Sequence, residues 1–459
     1  MFKSLVPNVN NALWSGFFLP GLLCCSLLLT LRCGALQLRH FSLCMRGSIG
    51  RAFLKKEGGG EGISSFQAAS TALASTVGTG NIVGTAQALC LGGAGAVFWM
   101  WAASFLGMIV KFSEICLSTY FKNTRPESGG GPMVYIRAAF GRLGPPLAAA
   151  YAFFAALAGF GMGNMTQINS AAASLVGAAE YLPLAGLEEK QLRLILGICL
   201  GALCFIILSG GARGIGRAAS LLVPVMSLGF ILLSLGVLCC HGQRLPGILV
   251  YIISEAFTPR AALGGSAGIA SASAIGWGLR RSAFSNEAGL GTSAIAHSFS
   301  RGSSPVEEGF WGVFEVFADT TLLCTLTALV ILCSGASLPY GSSAGAELLC
   351  AAFATVYGRG FSLVFVALTM VLLAFSSVLG WSLYGLRCWE YLFGKGSGTL
   401  YRLIFSAAAI PGALVSAELV WSLSDLLNVL MSVPNLIALL LLSGKVGRLT
   451  GEYVNNQTY

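Results

Sequence analysis

Charge is scarce in this 459-residue chain, where Asp, Glu, Lys and Arg together make up only 10%. Average soluble domains carry about 25%, so an ordinary water-facing surface is excluded. Histidine is nearly absent: His40, His241 and His297 lie far apart, which argues against a His-built metal or catalytic cluster. No C-x-x-C spacing occurs among the fourteen cysteines, and no P-loop, zinc signature or nucleophile–base constellation is present to support an enzyme. Long polar segments are missing too. The longest, near residues 39–63 and 122–143, are too short to bury a core, so function must lie in the apolar part.

What is present is apolar surface: 55% of residues are hydrophobic and the mean hydropathy is +0.78. Runs of roughly 17–25 apolar residues, long enough to cross about 30 Å of hydrocarbon as helix, recur along the chain. The 60 glycines would weaken soluble helices but suit close backbone approach in a membrane bundle. Cysteines inside the runs, such as Cys199, Cys204, Cys324 and Cys333, read as small buried hydrophobes. The net charge of +9 does not point to nucleic acid, because the basic residues sit in the joints between runs.

The spacing predicts an all-α polytopic membrane protein of about eleven helices, near 13–31, 66–90, 95–121, 145–175, 192–209, 219–240, 266–290, 309–334, 360–386, 402–421 and 425–443. The first run lacks a small-residue cleavage site and leads into Arg32, Arg39 and Arg46, so it reads as a retained helix rather than a signal peptide. With that helix running outside to inside, twenty of the 27 Lys and Arg fall on the inner side, six on the outer side and Lys111 in mid-span. Residues 1–65 then form an N-terminal helix and basic cytoplasmic loop, 66–240 and 241–445 two five-helix repeats, and 446–459 a cytoplasmic tail. Because five is odd, consecutive halves of five are inverted in topology, a recurring transporter architecture with its site near the midplane.

The densest motif is Ser75-Thr76-Val77-Gly78-Thr79-Gly80-Asn81, in the middle of the second span. Two glycines one residue apart, flanked by Thr and Asn, weaken a helix and free backbone N–H and C=O groups. Within hydrocarbon such groups persist where they line a cavity or bind something. Carbonyls there suit a cation, and the half-helix N-terminus beyond suits a carboxylate. Close packing alone is the competing reading. In a later span, Ser376, Ser377 and the carbonyl of Leu373 share one helical face and offer three hard oxygens, although paired serines also bond back to their own carbonyls. Asn164 and Gln167 lie three apart and could meet a substrate or join helices. Intramembrane ionisable residues are costly and suggest function: Glu287, Glu315, Asp319, and Lys111 with Glu114, which at i, i+3 reads as a self-neutralising pair.

Several stretches carry a resemblance: Thr71 to Gly84, Gly92 to Gly107, Gly129 to Ile136, Phe284 to Gly291, Phe314 to Gly335, and Ser376 to Tyr384. Together they resemble the alanine or glycine:cation symporter family, also called sodium:alanine symporters, from about residue 60 to 445. The resemblance implies a leucine-transporter-like 5+5 inverted repeat with one extra N-terminal helix, and uptake of alanine or glycine coupled to Na⁺ or H⁺. It also implies a sodium ion held by the carbonyls of Ala74 and Val77 with Ser376 and Ser377. The amides of Thr79 and Gly80 would hold the substrate carboxylate, with Asn81 lining the same site. Departures from the family pattern at Ala102, Gly276, Ser282 and Thr292-Ser293-Ala294 bear on substrate choice rather than fold.

The expected function is therefore sodium-coupled uptake of a small neutral amino acid by alternating access across a bacterial inner membrane, with Trp381 helping to limit substrate size and no organic cofactor. Proton coupling through Asp319 or Glu287 is the alternative within that class. A channel would instead need a continuous polar pore.

Overall fold

A computed structural model describes residues 12–52, 62–124, 129–183, 186–258, 274–302, 304–341, 345–415 and 417–457. The start of the expected span at 266–290, and the basic residues Lys3, Lys55, Lys56, Arg125 and Arg260, lie outside the described residues. The described chain is almost wholly helical, with one isolated bridge between Ile63 and Ser300.

Eight helices among the described residues are long and apolar enough to cross a bilayer. We label the elements that matter α1 (Trp14–Arg32), α2 (Ser65–Thr76), α3 (Val83–Gly92), α4 (Gly95–Thr124), α5 (Pro132–Phe140) and α6 (144–178). Then come α7 (Glu189–Ser209), α8 (Gly211–Cys240), α9 (Leu245–Ala256), α10 (Ala274–Asn286), α11 (Thr292–His297) and α12 (Pro305–Ser334). The last are α13 (Glu347–Tyr357), α14 (Arg359–Phe393), α15 (398–414) and α16 (Ala417–Gln457). The final helix runs to Gln457, well past the expected span end at 443.

Two rods are interrupted in the middle: α2 with α3, and α10 with α11. Each opens one half of the chain. In both halves a short connecting helix, α5 or α13, separates the second long helix from the third, so α4–α5–α6 corresponds to α12–α13–α14. Helix α1 stands before the first half and packs on α4 and α16.

Local chemistry sets several of the ends. Ser64 accepts from Gln67 N while Gln67 Oε1 accepts from Ser64 N, a capping box that starts α2. Ser304 caps α12 ahead of Pro305, whose missing N–H costs nothing in the first turn. Outward-facing Ile206, Leu221, Val225, Leu228 and Leu232 on α7 and α8 present apolar side chains to lipid, whereas the middle of α14 is buried from Leu373 to Leu386.

Candidate functional site

The first break spans Val77 to Ile82. Val77 N–H still closes a helical turn on Leu73 O at 2.7 Å. Gly78 N–H, which would have continued the helix onto Ala74 O, donates instead to Asn81 Oδ1 at 2.9 Å. Asn81 N–H, the helical partner of Val77 O, turns to Gly78 O at 3.2 Å. The carbonyls of Ala74 and Val77 are thereby deprived of their helical donors, and the backbone at Gly78 is extended. A Cβ built at Gly78 would collide with Ser377 Oγ of α14, so glycine lets this crossing come close. That buried hydroxyl has no hydrogen-bond partner.

Gln167 approaches from α6. Its Oε1 accepts from Thr79 N–H at 3.1 Å and from Thr79 Oγ1 at 2.9 Å. At Gly80 a Cβ would meet only the Phe284 ring, at 3.7 Å. Asn81 donates onward to Asp319 Oδ1 at 2.7 Å, and Ser285 and Thr320 hydroxyls reach Asp319 Oδ2, each at 2.8 Å. Asp319 lies in a π-helical segment of α12, Phe317–Cys324, and joins the two broken rods through neutral donors.

The second break, at residues 287–291, is held by charge. Lys111 Nζ donates to Asn286 O at 2.8 Å, the exposed carbonyl end of α10. Glu114 Oε1 accepts from the amides of Gly289 and Gly291, each at 3.1 Å, and from Asn435 Nδ2 at 2.7 Å. Cation at the C-terminal end and anion at the N-terminal end is the arrangement the helix dipole favours. The expected Lys111–Glu114 pair is therefore not formed: both point into the break, and Lys111 pairs with Glu315 at 3.4 Å. Glu287 sits in the break at φ +57°, a conformation that strains a non-glycine residue. Its carboxylate accepts from Trp381 Nε1 at 2.8 Å and Thr292 Oγ1 at 2.6 Å.

The structure thus gathers Ala74, Val77, Thr79, Gly80, Asn81, Gln167 and Ser377 at one break, with Trp381 bonded to Glu287 at the other. Ser376 donates to the carbonyl of Leu373 at 2.9 Å, so two of the three expected oxygens bond each other. Asn164 is not brought in: it donates to Phe405 O at 2.6 Å and ties α6 to α15.

Sequence reasoning gave Phe284 and Trp421 no role at the site and counted Arg281 among the basic residues of an inner joint, whereas the structure places it within α10 against α3. Phe284 stacks on Trp421 with centroids 5.1 Å apart, and Arg281 lies over the rings of Trp277, Phe284 and Trp421 at 5.3, 5.9 and 5.7 Å. Arg281 and Trp421 also border a cavity of about 670 Å³, lined further by Gln87, Asn169, Ser174 and Asp425. The readable signal was Trp277, Arg281 and Phe284 at i, i+4 and i+7, one face of α10.

Two broken rods facing one another inside a multi-pass helical bundle define a secondary transporter rather than an enzyme. The sodium:alanine symporter family model matches residues 1–459, and the chain belongs to that family. It is 39% identical over 454 residues to the sodium/alanine symporter AgcS of Methanococcus maripaludis, covering 97% of this chain and 96% of that one. It is 32% identical to the probable sodium/glutamine symporter GlnT of Bacillus subtilis, with 100% and 92% covered. The fold is similar to that of MhsT, crystallised with L-phenylalanine, at a TM-score of 0.60 and 14% identity, over 86% of this chain and 99% of that one.

Proposed function

We propose that this chain takes up alanine or glycine together with Na⁺ by alternating access across a bacterial inner membrane. The observation that carries the reading is the first break. Two carbonyls deprived of their helical donors, Ala74 O and Val77 O, lie in the same break that Ser377 Oγ abuts at Gly78. Hard oxygens of this kind suit a small cation, with Ser376 and Leu373 O behind them. One turn on, the Thr79 and Gly80 amides begin the positive end of α3, where Gln167 now accepts and a substrate carboxylate would replace it. The Phe284 ring packed against Gly80 would set an upper limit on the substrate side chain. Sodium rather than proton coupling is favoured because the first break, Val77 to Ile82, offers backbone and hydroxyl oxygens and no titratable side chain of its own.

Uptake of radiolabelled alanine, glycine, glutamine and leucine into proteoliposomes, with and without a sodium gradient, tests this. Alanine and glycine should exceed leucine by roughly 10–200-fold, the discrimination that a few methylenes support in a close-fitting pocket. Uptake that ignores sodium and follows pH would replace the reading with proton coupling, and preference for glutamine would move the substrate assignment.

A further inference from the structure

A second cluster lies beyond the second break, with which it shares Lys111, toward the end of the bundle that carries the basic joints. His297 closes α11, and both of its ring nitrogens face carboxylates: Nδ1 lies 2.7 Å from Glu308 Oε1 and Nε2 lies 2.7 Å from Glu315 Oε1. The remaining oxygens face a hydroxyl and an ammonium. Ser65 Oγ donates to Glu308 Oε2 at 2.8 Å, and Lys111 Nζ lies 3.4 Å from Glu315 Oε2. All four ionisable residues are buried.

Two ring nitrogens can both donate only if the imidazole is protonated. Lys111 and His297 as cations with Glu308 and Glu315 as anions make a neutral set. A neutral imidazole would leave one nitrogen lone pair against a carboxylate and a net buried negative charge. The cluster also spans the moving parts of the proposed cycle. Ser65 begins α2, the inner half of the first broken rod, and His297 ends α11, the inner half of the second. The same two ends pair directly, through Ile63 N–H to Phe299 O at 3.1 Å and Arg301 N–H to Ile63 O at 3.0 Å. Glu308 and Glu315 are seven residues apart on one face of α12.

We propose that His297, as an imidazolium bridging Glu308 and Glu315, is a positioning residue that latches the inner halves of both broken rods onto α12 and releases them when it loses its proton. The other charged or titratable groups around it are Lys111 and Lys122 of α4, Tyr384 and Arg387 of α14, and Arg301 just beyond it. Lys122 donates to Ser300 O, Tyr384 bonds Ser75, Arg387 lies over the Phe299 ring, and Arg301 donates to Gly62 O. Helix α5 turns Tyr135 to Asn435 and leaves Arg137 exposed, so it brings no charge to the latch. None of these supplies a second acceptor for the imidazolium. The latch stands below the pH at which His297 titrates and fails above it.

This inference rests on the symport reading for its consequence, so its test uses a readout that needs no transport. Hydrogen–deuterium exchange of residues 292–302, corrected for intrinsic rates, is followed from about pH 6 to pH 10 in the full-length protein in nanodiscs. Exchange in wild type should rise at least tenfold across one titration, and Glu308→Gln, which removes one negative charge while keeping an acceptor oxygen, should move that rise to lower pH. His297→Gln should exchange fast at every pH and change the maximal uptake rate. If His297→Gln does not insert, Glu308→Gln carries the test alone. Flat exchange in wild type, or an unmoved profile in Glu308→Gln, overturns the latch. A pH-dependent opening without any sodium-driven uptake would keep the latch and overturn the symport reading.

Discussion

The two breaks solve one problem in opposite ways. Each leaves helix ends without partners inside the membrane. At Val77–Ile82 the freed amides are met by neutral side-chain oxygens, Asn81 on Gly78 and Gln167 on Thr79, while the Ser377 hydroxyl stands close by without a partner. At 287–291 they are met by full charges, Lys111 on one side and Glu114 on the other. A neutral hydrogen bond contributes about 1 kcal/mol net, one to a charged group about 1.5–3. The neutral break can exchange its partners for a substrate carboxylate or a cation, whereas the charged break is an anchor against which the first can open and close.

The largest effect should follow from breaking the anchor. Lys111→Met removes a fully buried cation and leaves Glu315, His297 and the α10 carbonyl end unbalanced. A loss of about 3–5 kcal/mol is expected, read as a collapse of the thermal midpoint and of folded yield in detergent. Adding Glu315→Gln should recover part of it by removing one orphaned charge. If Lys111→Met is no worse than Gln167→Ala, the contrast between charged and neutral breaks fails.

Much of the first break is legible in the sequence, because Gly78, Gly80 and Asn81 in an apolar run have few uses other than interrupting a helix. The second is harder to read. Lys111 and Glu114 at i, i+3 suggest each other, and only the approach of α10 and α11 shows that each serves a different helix end. Asn164 looked equivalent to Gln167 from three residues away, but it lies within the π-helical turn Gly161–Met165 and bonds to the neighbouring α15. Spacing along one helix gives which residues share a face, not which partner arrives there. The His297 latch was invisible for the same reason, its carboxylates lying 11 and 18 residues away.

Within the first break, two glycines should behave differently. Gly78→Ala places a methyl group onto Ser377 Oγ and close to Gln167 Oε1, so it displaces two of the groups that shape the break, and alanine uptake should fall by about 100-fold or more while the protein still inserts. Gly80→Ala meets only the edge of the Phe284 ring at ordinary contact distance, and uptake should stay within roughly tenfold of wild type. Equal losses in both would mean that backbone freedom, not the Ser377 contact, governs the break.

The smallest expected effect separates the two serines of α14. The Ser376 hydroxyl is already bonded to Leu373 O, so a cation would have to compete for both oxygens, whereas Ser377 Oγ stands against Gly78 with no partner to lose. Ser377→Ala should therefore raise the sodium concentration for half-maximal alanine uptake by about tenfold, equivalent to about 1.4 kcal/mol. Ser376→Ala should shift it by no more than about twofold, since removing a back-bonded hydroxyl leaves the Leu373 carbonyl free to serve in its place. Alanine affinity at fixed sodium should fall with Ser377→Ala in the same sense, because the coupling between two bound ligands is reciprocal. A larger shift with Ser376→Ala would move the cation one residue around the helix, away from the break and onto the Leu373 side. No shift with either would take sodium out of the first break and leave its exchangeable partners to the substrate alone.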